Sequence, residues 1–294
     1  MDEIGFIILT HDNPNQTLRL VSRLNSLYGF PPISLHHDFS KSYLPASQLT
    51  ENVFLVKDYV VTHWGTYSLV EAKLKALALL FEKFSPKYYV TLSGADYPVK
   101  KASDVLETLN SLKSDVYIRS SLISYDCLDK AWKKQYYDRY CSLKLIFKRK
   151  NKNNRSVVSQ LTFLRNPKIT NYFTPFSPSL RCWGGEFWYT ANDVAAKYLL
   201  DYVKNDKDGL VKHYKHTKIP DESIFQTIFK NSKILKCSNQ NFRYIDWKEK
   251  LPHPKVLGVE DLTKIKESDS HFARKFDQSG SKEAINIIDA WLNC

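Results

Sequence analysis

The stretch that most constrains this chain runs from Tyr88 to Lys100, Tyr-Tyr-Val-Thr-Leu-Ser-Gly-Ala-Asp-Tyr-Pro-Val-Lys, an apolar run that stops abruptly at Ser93, Gly94, Ala95, Asp96 and Pro98. Aromatic and branched side chains fit a pleated, buried surface, Gly94 permits a tight turn, and Pro98 ends strand pairing and bars a helix interior. A buried strand therefore delivers polar residues to a loop. Ligands of open α/β sheets bind outside the carboxyl ends of the strands, which makes Asp96 the first candidate site residue. Closing the turn is the competing role for its carboxylate.

The segments around this strand repeat the same alternation. Residues 4–9 form a short apolar strand. His11-Asp12-Asn13-Pro14-Asn15 follows, with an asparagine to cap and a proline for a first helical turn, and a helix over about 16–27 carries Leu18, Val21, Leu24 and Leu27 on one face. Strands at 33–36 and 53–55 precede a helix over 69–84, whose Ala72, Ala76, Leu77, Leu79 and Leu80 make a core stripe. After the strand at 88–92 a helix over 103–112 completes a nucleotide-binding type of half. Strand–helix alternation predicts an α/β fold with a Rossmann-like, mostly parallel central sheet flanked by helices.

Downstream the pattern is sparser. A strand at 116–118, a helix over 128–139 rich in Lys and Tyr, and a basic loop over 144–155 lead to the aromatic run Trp183-Gly184-Gly185-Glu186-Phe187-Trp188-Tyr189-Thr190. Asn192 then caps a helix to about 203, and Pro220-Asp221-Glu222-Ser223 opens another through 229. With no internal repeat and no linker, residues 1–294 read as one domain of two halves, 1–115 and 116–294.

The 43% hydrophobic and 14% aromatic content of these 294 residues suffices for a large core. No apolar run approaches the roughly 20 residues of a bilayer span, and the N-terminus is too short and too acidic for a signal peptide, so a cytoplasmic location is expected. Five cysteines without a C-x-x-C pair argue for reduced thiols over a zinc site or disulfide framework. The net charge of +12 suits anionic surfaces or substrates. Six of the twelve residues from Lys144 to Arg155 are cations, beside Leu145, Ile146 and Phe147. Such a segment docks on an anionic leaflet, at about 1 kcal/mol per cation, or stays a solvated loop.

Phosphate-loop, dinucleotide and nucleophile-elbow motifs are missing. Asp206-Lys207-Asp208 sits in a Lys-rich turn rather than after a buried strand, and adjacent His36 and His37 would face opposite sides of a strand, so neither forms a metal site. Pro220-Asp221-Glu222 places two carboxylates in a first helical turn, where the dipole favours them for capping or for chemistry. Arg243 lies in an apolar strand, and Arg274 and Lys275 lie between Phe272 and Phe276. Cations fixed by aromatic neighbours suit a diphosphate, and snorkelling on a surface helix is their other common use.

Together these segments resemble the core-2/I-branching β-1,6-N-acetylglucosaminyltransferase family, to which peptide O-xylosyltransferases are also similar. The residues that carry the resemblance are His36-His37-Asp38, Trp64-Gly65-Thr66-Tyr67-Ser68-Leu69-Val70 with Ala72, Leu92-Ser93-Gly94-Ala95-Asp96-Tyr97-Pro98, Gly184 to Trp188, Pro220-Asp221-Glu222, Asn241-Phe242-Arg243 with Trp247, and Phe272-Ala273-Arg274-Lys275-Phe276-Asp277. The resemblance implies a GT-A-like fold and an inverting transfer from a UDP-sugar, foremost UDP-GlcNAc, with no metal and no other cofactor. It makes Glu222 the general base and puts Arg243, Lys275 and Arg274 at the diphosphate. Asp38, Trp64, Ser68 and Asp96 would serve the donor, and Trp183, Glu186, Trp188 and Asp221 the acceptor. The second half would be acceptor-binding and catalytic, and Asp96 would contact the donor sugar or position Lys100.

Animal members are anchored Golgi proteins, so the lack of an anchor points to a bacterial relative. Such a relative would act on an oligosaccharide or lipid-linked glycan of surface polysaccharide synthesis, in the cytoplasm or at the inner face of the plasma membrane. UDP-xylose, UDP-glucose and UDP-galactose are alternative donors. A rival from another class is a nucleic-acid-binding protein that stacks bases on Trp132, Tyr136, Tyr137 and Tyr140 beside the basic patch 130–155. A glycan-binding pseudoenzyme is disfavoured by the joint presence of Glu222, Arg243 and Lys275.

Overall fold

The computed structural model describes residues 3–150, 156–247 and 253–293. Its first part alternates as the sequence dictates: β1 (Ile4–Thr10), α1 (Pro14–Tyr28), β2 (Ile33–His37), β3 (Val53–Leu55), α2 (Ser68–Lys83), β4 (Tyr88–Ser93), β5 (Tyr97–Pro98) and α3 (Ala102–Leu112). The middle holds β6 (Val116–Ile118), β7 (Ser121–Leu122), α4 (Ala131–Tyr140), β8 (Leu143–Lys150), β9 (Ser156–Leu164) and α5 (Pro167–Thr170). Then come β10 (Trp183–Gly184), β11 (Tyr189–Asn192), α6 (Asp193–Asn205), α7 (Leu210–Lys215), α8 (Ile224–Lys230), β12 (Cys237–Ser238), β13 (Arg243–Ile245), α9 (Leu262–Glu267), β14 (Phe272–Arg274) and α10 (Lys282–Asn293).

The central sheet has seven strands in the order β12-β6-β11-β4-β1-β2-β3. β1 runs parallel to both β2 and β4, β2 parallel to β3, and β12 parallel to β6; β11 is antiparallel to β4 and β6. The expected α/β fold with a mostly parallel sheet is thus present, and the sheet draws strands from both sides of residue 115. Because β1 is covered on both faces, its sequence is continuously apolar. Phe6 and Ile8 point into one core with Leu20, Leu24, Leu35 and Phe272, while Ile7 points into another with Val70, Leu77, Tyr89 and Phe225.

A small sheet, β13-β14-β5, abuts the end of β4. Backbone bonds from Phe276 N to Ala95 O and from Val99 N to His271 O, each 2.9 Å, fasten it to the turn after β4. α10 is tied to α1 through Asp289, which takes Arg19 at 2.8 Å, Arg23 at 3.2 Å and the Tyr97 hydroxyl at 2.8 Å.

Local expectations hold with instructive exceptions. Asn192 caps α6 by accepting from Ala195 N at 2.9 Å. Asn13 makes no such side-chain bond at α1, where Pro14 takes the first turn instead. The segment read as a basic loop is half of a ribbon, since β8 pairs antiparallel with β9; residues 151–155 of that segment lie outside the described residues. Alternating Lys, Leu and Phe before residue 150 and a Val-rich return after 155 favour pairing over a free loop. The four described cysteines, Cys127, Cys141, Cys182 and Cys237, are free thiols. Among the described residues no helix is long and apolar enough to cross a membrane.

The paired glycines after Trp183 are a packing requirement. A Cβ on Gly184 would lie 2.4 Å from a Tyr136 ring carbon, and one on Gly185 would lie 2.1 Å from the Arg119 carbonyl oxygen. We expect Gly185→Ala to destabilise the protein by about 1–3 kcal/mol, as overpacking against backbone does. Its thermal midpoint should fall by several degrees, and an unchanged midpoint would refute the close packing.

Candidate active site

A cleft of about 550 Å³ opens at the carboxyl ends of β1, β2 and β4. Leu9, Thr10, His36 and Ser93 come from those strands. Gly185 to Trp188 and the turn Asp221-Glu222 form one wall, and Ile245, Trp247 and Arg274 come from the small sheet and the segment after it. Of the sequence candidates, Trp64, Glu186, Trp188, Asp221, Glu222 and Arg274 reach this cleft.

Glu222 ends a single 3-10 turn, Pro220–Glu222, and α8 begins after Ser223. Gly185 N donates to its carbonyl at 2.8 Å, coupling the carboxylate to the glycine wall. Its side chain is about one third exposed, and Arg139 Nη1 donates to Oε2 at 2.9 Å. Arg139 comes from α4, where it lies 5.2 Å from the centre of the Tyr136 ring. Burial, then the Glu222 carboxylate, pushes the Tyr136 phenol well up, so it stays a neutral hydroxyl beside the acid. Asp221 is buried, its Oδ1 has no partner among the described residues, and burial followed by the Glu222 charge raises its carboxyl to about 6.

Asp96 is wholly buried, short of the cleft surface. Its Oδ2 accepts from Ser93 N at 2.7 Å and from Ser93 Oγ, and lies 3.8 Å from Arg274 Nε. It therefore fixes two residues that do line the cleft. Lys100, expected as its partner, donates instead to the Lys266 carbonyl at 3.4 Å. The Arg274 guanidinium lies 4.6 Å from the centre of the Trp188 ring, which holds it against the aromatic wall.

Arg243 is placed differently from the expectation. It is buried behind the cleft, donates from Nη1 to Asn241 O at 3.0 Å and from Nη2 to Thr91 O at 3.2 Å, and packs 4.6 Å from Phe272. Burial lowers its guanidinium to about 10. Lys275 is half-buried and is not part of the cleft lining.

Asp38 is also an organiser. Ser40 N and Oγ donate to Oδ1 at 3.1 and 2.6 Å, and Thr62 N and Oγ1 donate to Oδ2 at 2.7 Å each. These four bonds outweigh burial and hold its carboxyl well below the usual range. Lys41 Nζ, 3.5 Å from Asp38 and donating to Thr62 Oγ1 at 2.9 Å, lines the cleft together with Thr62. Ser68 shapes the next loop by accepting from His63 N at 2.8 Å. Gly65, at φ 73°, accepts from Ile219 N at 2.8 Å and ties that loop to the Pro-Asp-Glu turn. Trp64 is left 81% exposed at the mouth, where it can stack on a ligand.

Glu186 lines the cleft with its Oε1 3.2 Å from Arg119 and its Oε2 accepting from Asn241 Nδ2 at 2.5 Å. Trp183 is not part of the cleft lining, and Lys230 lies 5.0 Å from its ring. His36 accepts from Val60 N at 2.8 Å, and burial lowers it to about 4, while His37 contacts Thr10 and Ser42. Among the described residues no three His, Cys, Asp or Glu side chains gather as a metal site. Sequence reading missed Lys41 as a cleft residue and Arg139 as the partner of Glu222, and it took Tyr136 for a nucleic-acid stacking group. The signal for Arg139 and Tyr136 was the aromatic, basic helix Trp132-Lys133-Lys134-Gln135-Tyr136-Tyr137-Asp138-Arg139-Tyr140, and for Lys41 the polar cluster after β2.

Comparison with known proteins matches residues 4–267 to the model of the family described as Core-2/I-Branching enzyme. The match includes the Pro-Asp-Glu turn and ends before Arg274. Among curated relatives, a xylosyltransferase of Ciona intestinalis is 24% identical over 284 residues, 87% of this chain and 30% of that protein. Xylosyltransferase 2 of Rattus norvegicus is 23% identical over 286 residues, 88% of this chain and 30% of its own length. Xylosyltransferase 1 of the same species is 22% identical over 322 residues, 98% of this chain and 35% of its own. The chain thus spans about a third of the length of these relatives. With the family model running through the sheet, the cleft wall and the Pro-Asp-Glu turn, the chain belongs to the core-2/I-branching enzyme family of glycosyltransferases.

Proposed function

We propose that this chain transfers GlcNAc from UDP-GlcNAc, with inversion and without a metal at the diphosphate, onto a hydroxyl of a glycan acceptor. The observation that carries the reading is Glu222, a carboxylate open to the cleft and oriented by Arg139 at 2.9 Å, in the same cavity as Arg274. In the reaction the acceptor oxygen bonds to the anomeric carbon while Glu222 takes its proton. The bond from that carbon to the UDP oxygen breaks, and its electron pair leaves with the diphosphate. General-base help of this kind is typically about 10²–10⁴ in rate, roughly 3–5 kcal/mol of barrier.

Charge growing on the leaving diphosphate needs fixed cations. A cation about 4 Å from a phosphate, at an effective dielectric near 20, contributes roughly 4 kcal/mol before desolvation. Arg274 meets that need on the cleft wall, with Lys275 next in the chain and Lys41 in the loop after β2. Arg243, with its Nη atoms on backbone carbonyls, supports the wall from behind. Trp64 offers a face to sugar or base at the cleft mouth, while Trp188 backs Arg274.

The xylosyltransferase names of the relatives make UDP-xylose the first alternative donor, with UDP-glucose and UDP-galactose after it. The nucleic-acid reading loses support because Tyr137 and Tyr140 are buried and Tyr136 belongs to the cleft. Bacterial surface polysaccharide assembly, with the β8–β9 ribbon against an anionic leaflet, remains our reading of the setting. It is supported by exposed Leu145, Leu161 and Phe163 in a chain of net charge +12, although Lys144 itself is taken up by the Arg139 carbonyl.

Glu222→Gln should keep UDP-GlcNAc affinity and lose at least about 10² in turnover; wild-type turnover would remove Glu222 from the base role. Calorimetry with UDP and UDP-sugars should show binding in EDTA, and binding seen only with manganese would overturn the metal-free reading. In the same titrations Arg274→Ala should weaken UDP about tenfold or more, whereas Arg243→Met should chiefly lower the thermal midpoint; the reverse pattern would return the diphosphate to Arg243. Liposome flotation should capture the protein on phosphatidylserine vesicles at low salt and leave it free of phosphatidylcholine ones. Equal partition would sink the leaflet proposal.

A further inference from the structure

Trp132 takes no part in the chemistry derived so far, and it stands 44% exposed in the first turn of α4. A lone exposed aromatic on a protein surface is ordinary and by itself means nothing. Its neighbours make this one different. The Trp132 ring meets the Tyr136 ring edge to face at 5.8 Å and 87°, Tyr136 meets Tyr140 at 5.9 Å, and Tyr140 meets Tyr214 at 5.5 Å. Tyr214 and Tyr140 are wholly buried, Tyr136 is half-buried in the cleft lining, and Trp132 is open to solvent, so the four rings climb from the core through the cleft wall to the surface.

This ladder rises on the side of the cleft where Glu222 lies. Arg139 joins the two, since its guanidinium is 5.2 Å from the centre of the Tyr136 ring and its Nη1 donates to Glu222 at 2.9 Å. A hydroxyl that gives its proton to Glu222 therefore belongs to a sugar lying beside Tyr136. Trp132 is one helical turn, roughly 6 Å, further out along α4. The Tyr136 ring is held in place by its close packing on Gly184 of the glycine wall. Around Trp132, Asp129, Lys130, Lys134 and Gln135 are exposed, and Lys133 Nζ lies 5.6 Å from the ring centre. A protein-binding patch gathers further apolar side chains into a core around such an anchor. One aromatic ring among hydrogen-bonding groups instead suits a sugar, whose C–H face stacks while its hydroxyls find polar partners.

We propose that Trp132 forms an acceptor subsite one sugar beyond the reacting residue, so that the chain acts on an acceptor of at least two sugars and reads the second by stacking. The proposal rests on the reading of Glu222 as the base, and it narrows the glycan acceptor to an oligosaccharide. Its effect falls on acceptor affinity, because Trp132 stands outside the cleft lining and next to no reacting bond.

The test is calorimetry of the full chain, saturated with UDP, against free mono-, di- and trisaccharides ending in galactose, GlcNAc, GalNAc, glucose, mannose or xylose. For at least one terminal sugar, adding the second residue should tighten binding about tenfold, as covering one aromatic face allows. Trp132→Ala should erase that gain and Trp132→Phe should keep most of it, while Tyr172→Ala, at an aromatic 85% exposed elsewhere, should leave it intact. No gain on lengthening in any series, or a gain that survives Trp132→Ala, overturns the proposal. If Trp132→Ala does not fold, ¹⁹F NMR of wild-type protein labelled with 5-fluorotryptophan decides, with Trp132 assigned through Trp132→Phe. The tightest disaccharide should shift that resonance and its monosaccharide should not; an unmoved resonance overturns the subsite. With UDP-GlcNAc and the same disaccharide as substrates, Trp132→Ala should raise the acceptor KM about tenfold and change kcat less than about threefold, and the opposite split contradicts a stacking role. Failure of wild-type protein to bind UDP or any UDP-sugar would instead strike the glycosyltransferase reading, and the saccharide titrations, repeated without UDP, would still judge Trp132.

Discussion

Everything near the cleft depends on one constraint, the burial of β1 on both faces between β2 and β4. A strand so enclosed is apolar until its last residue, so β1 brings its one polar side chain, Thr10, only where it ends. Thr10, Ser93 and the cluster around Asp38 appear at the ends of the three strands, all within a few residues of the last apolar side chain. Gly5 shows how tight the enclosure is, since a Cβ there would approach a Pro86 side-chain carbon to 2.7 Å.

On that platform buried carboxylates act as anchors, and the groups they hold line the cleft. Asp38 is saturated by Ser40 and Thr62 and presents Lys41; Asp96 is bonded to Ser93 and presents Arg274. Replacing either anchor would leave buried donors unsatisfied, each costing about 1–3 kcal/mol. The Arg139–Glu222 pair is of another kind. It is partly exposed, and such pairs contribute about 1 kcal/mol or less to stability, so its effect is to fix the direction in which the carboxylate points.

The fold and much of the site were legible where the signal was local. The run into Asp96, the core stripe of α2 and the Pro-Asp-Glu turn each follow from a few adjacent residues. What was not legible depended on pairing between distant segments. Arg139 meets Glu222 across 83 residues, and nothing in α4 alone announces that contact. Arg243 and Arg274 look alike in sequence, each a cation among aromatics, and only the register separates them. Arg243 stands opposite Phe272 and Ile245 opposite Arg274, so Arg274 and Ile245 reach the cleft while Arg243 lies two residues, roughly 7 Å, further back. Likewise, the charge density of the basic segment concealed the alternation that pairs β8 with β9.

The same register bears on how a diphosphate could be handled without a divalent ion. A metal offers concentrated charge with little reorganisation, and a protein cation matches that only if its direction is set before the ligand arrives. Arg274 is held on one side by the Trp188 face and on the other by Asp96, itself buried and bonded to the β4 turn. A planar guanidinium loses little freedom when so clamped, and it presents donors in a fork that matches phosphate oxygens. A flexible lysine in the same place would keep its charge but lose that direction. Preorganisation by the aromatic wall is therefore the property on which the cationic reading of this cleft turns, and it makes the placement of Trp188 as consequential as the charge beside it.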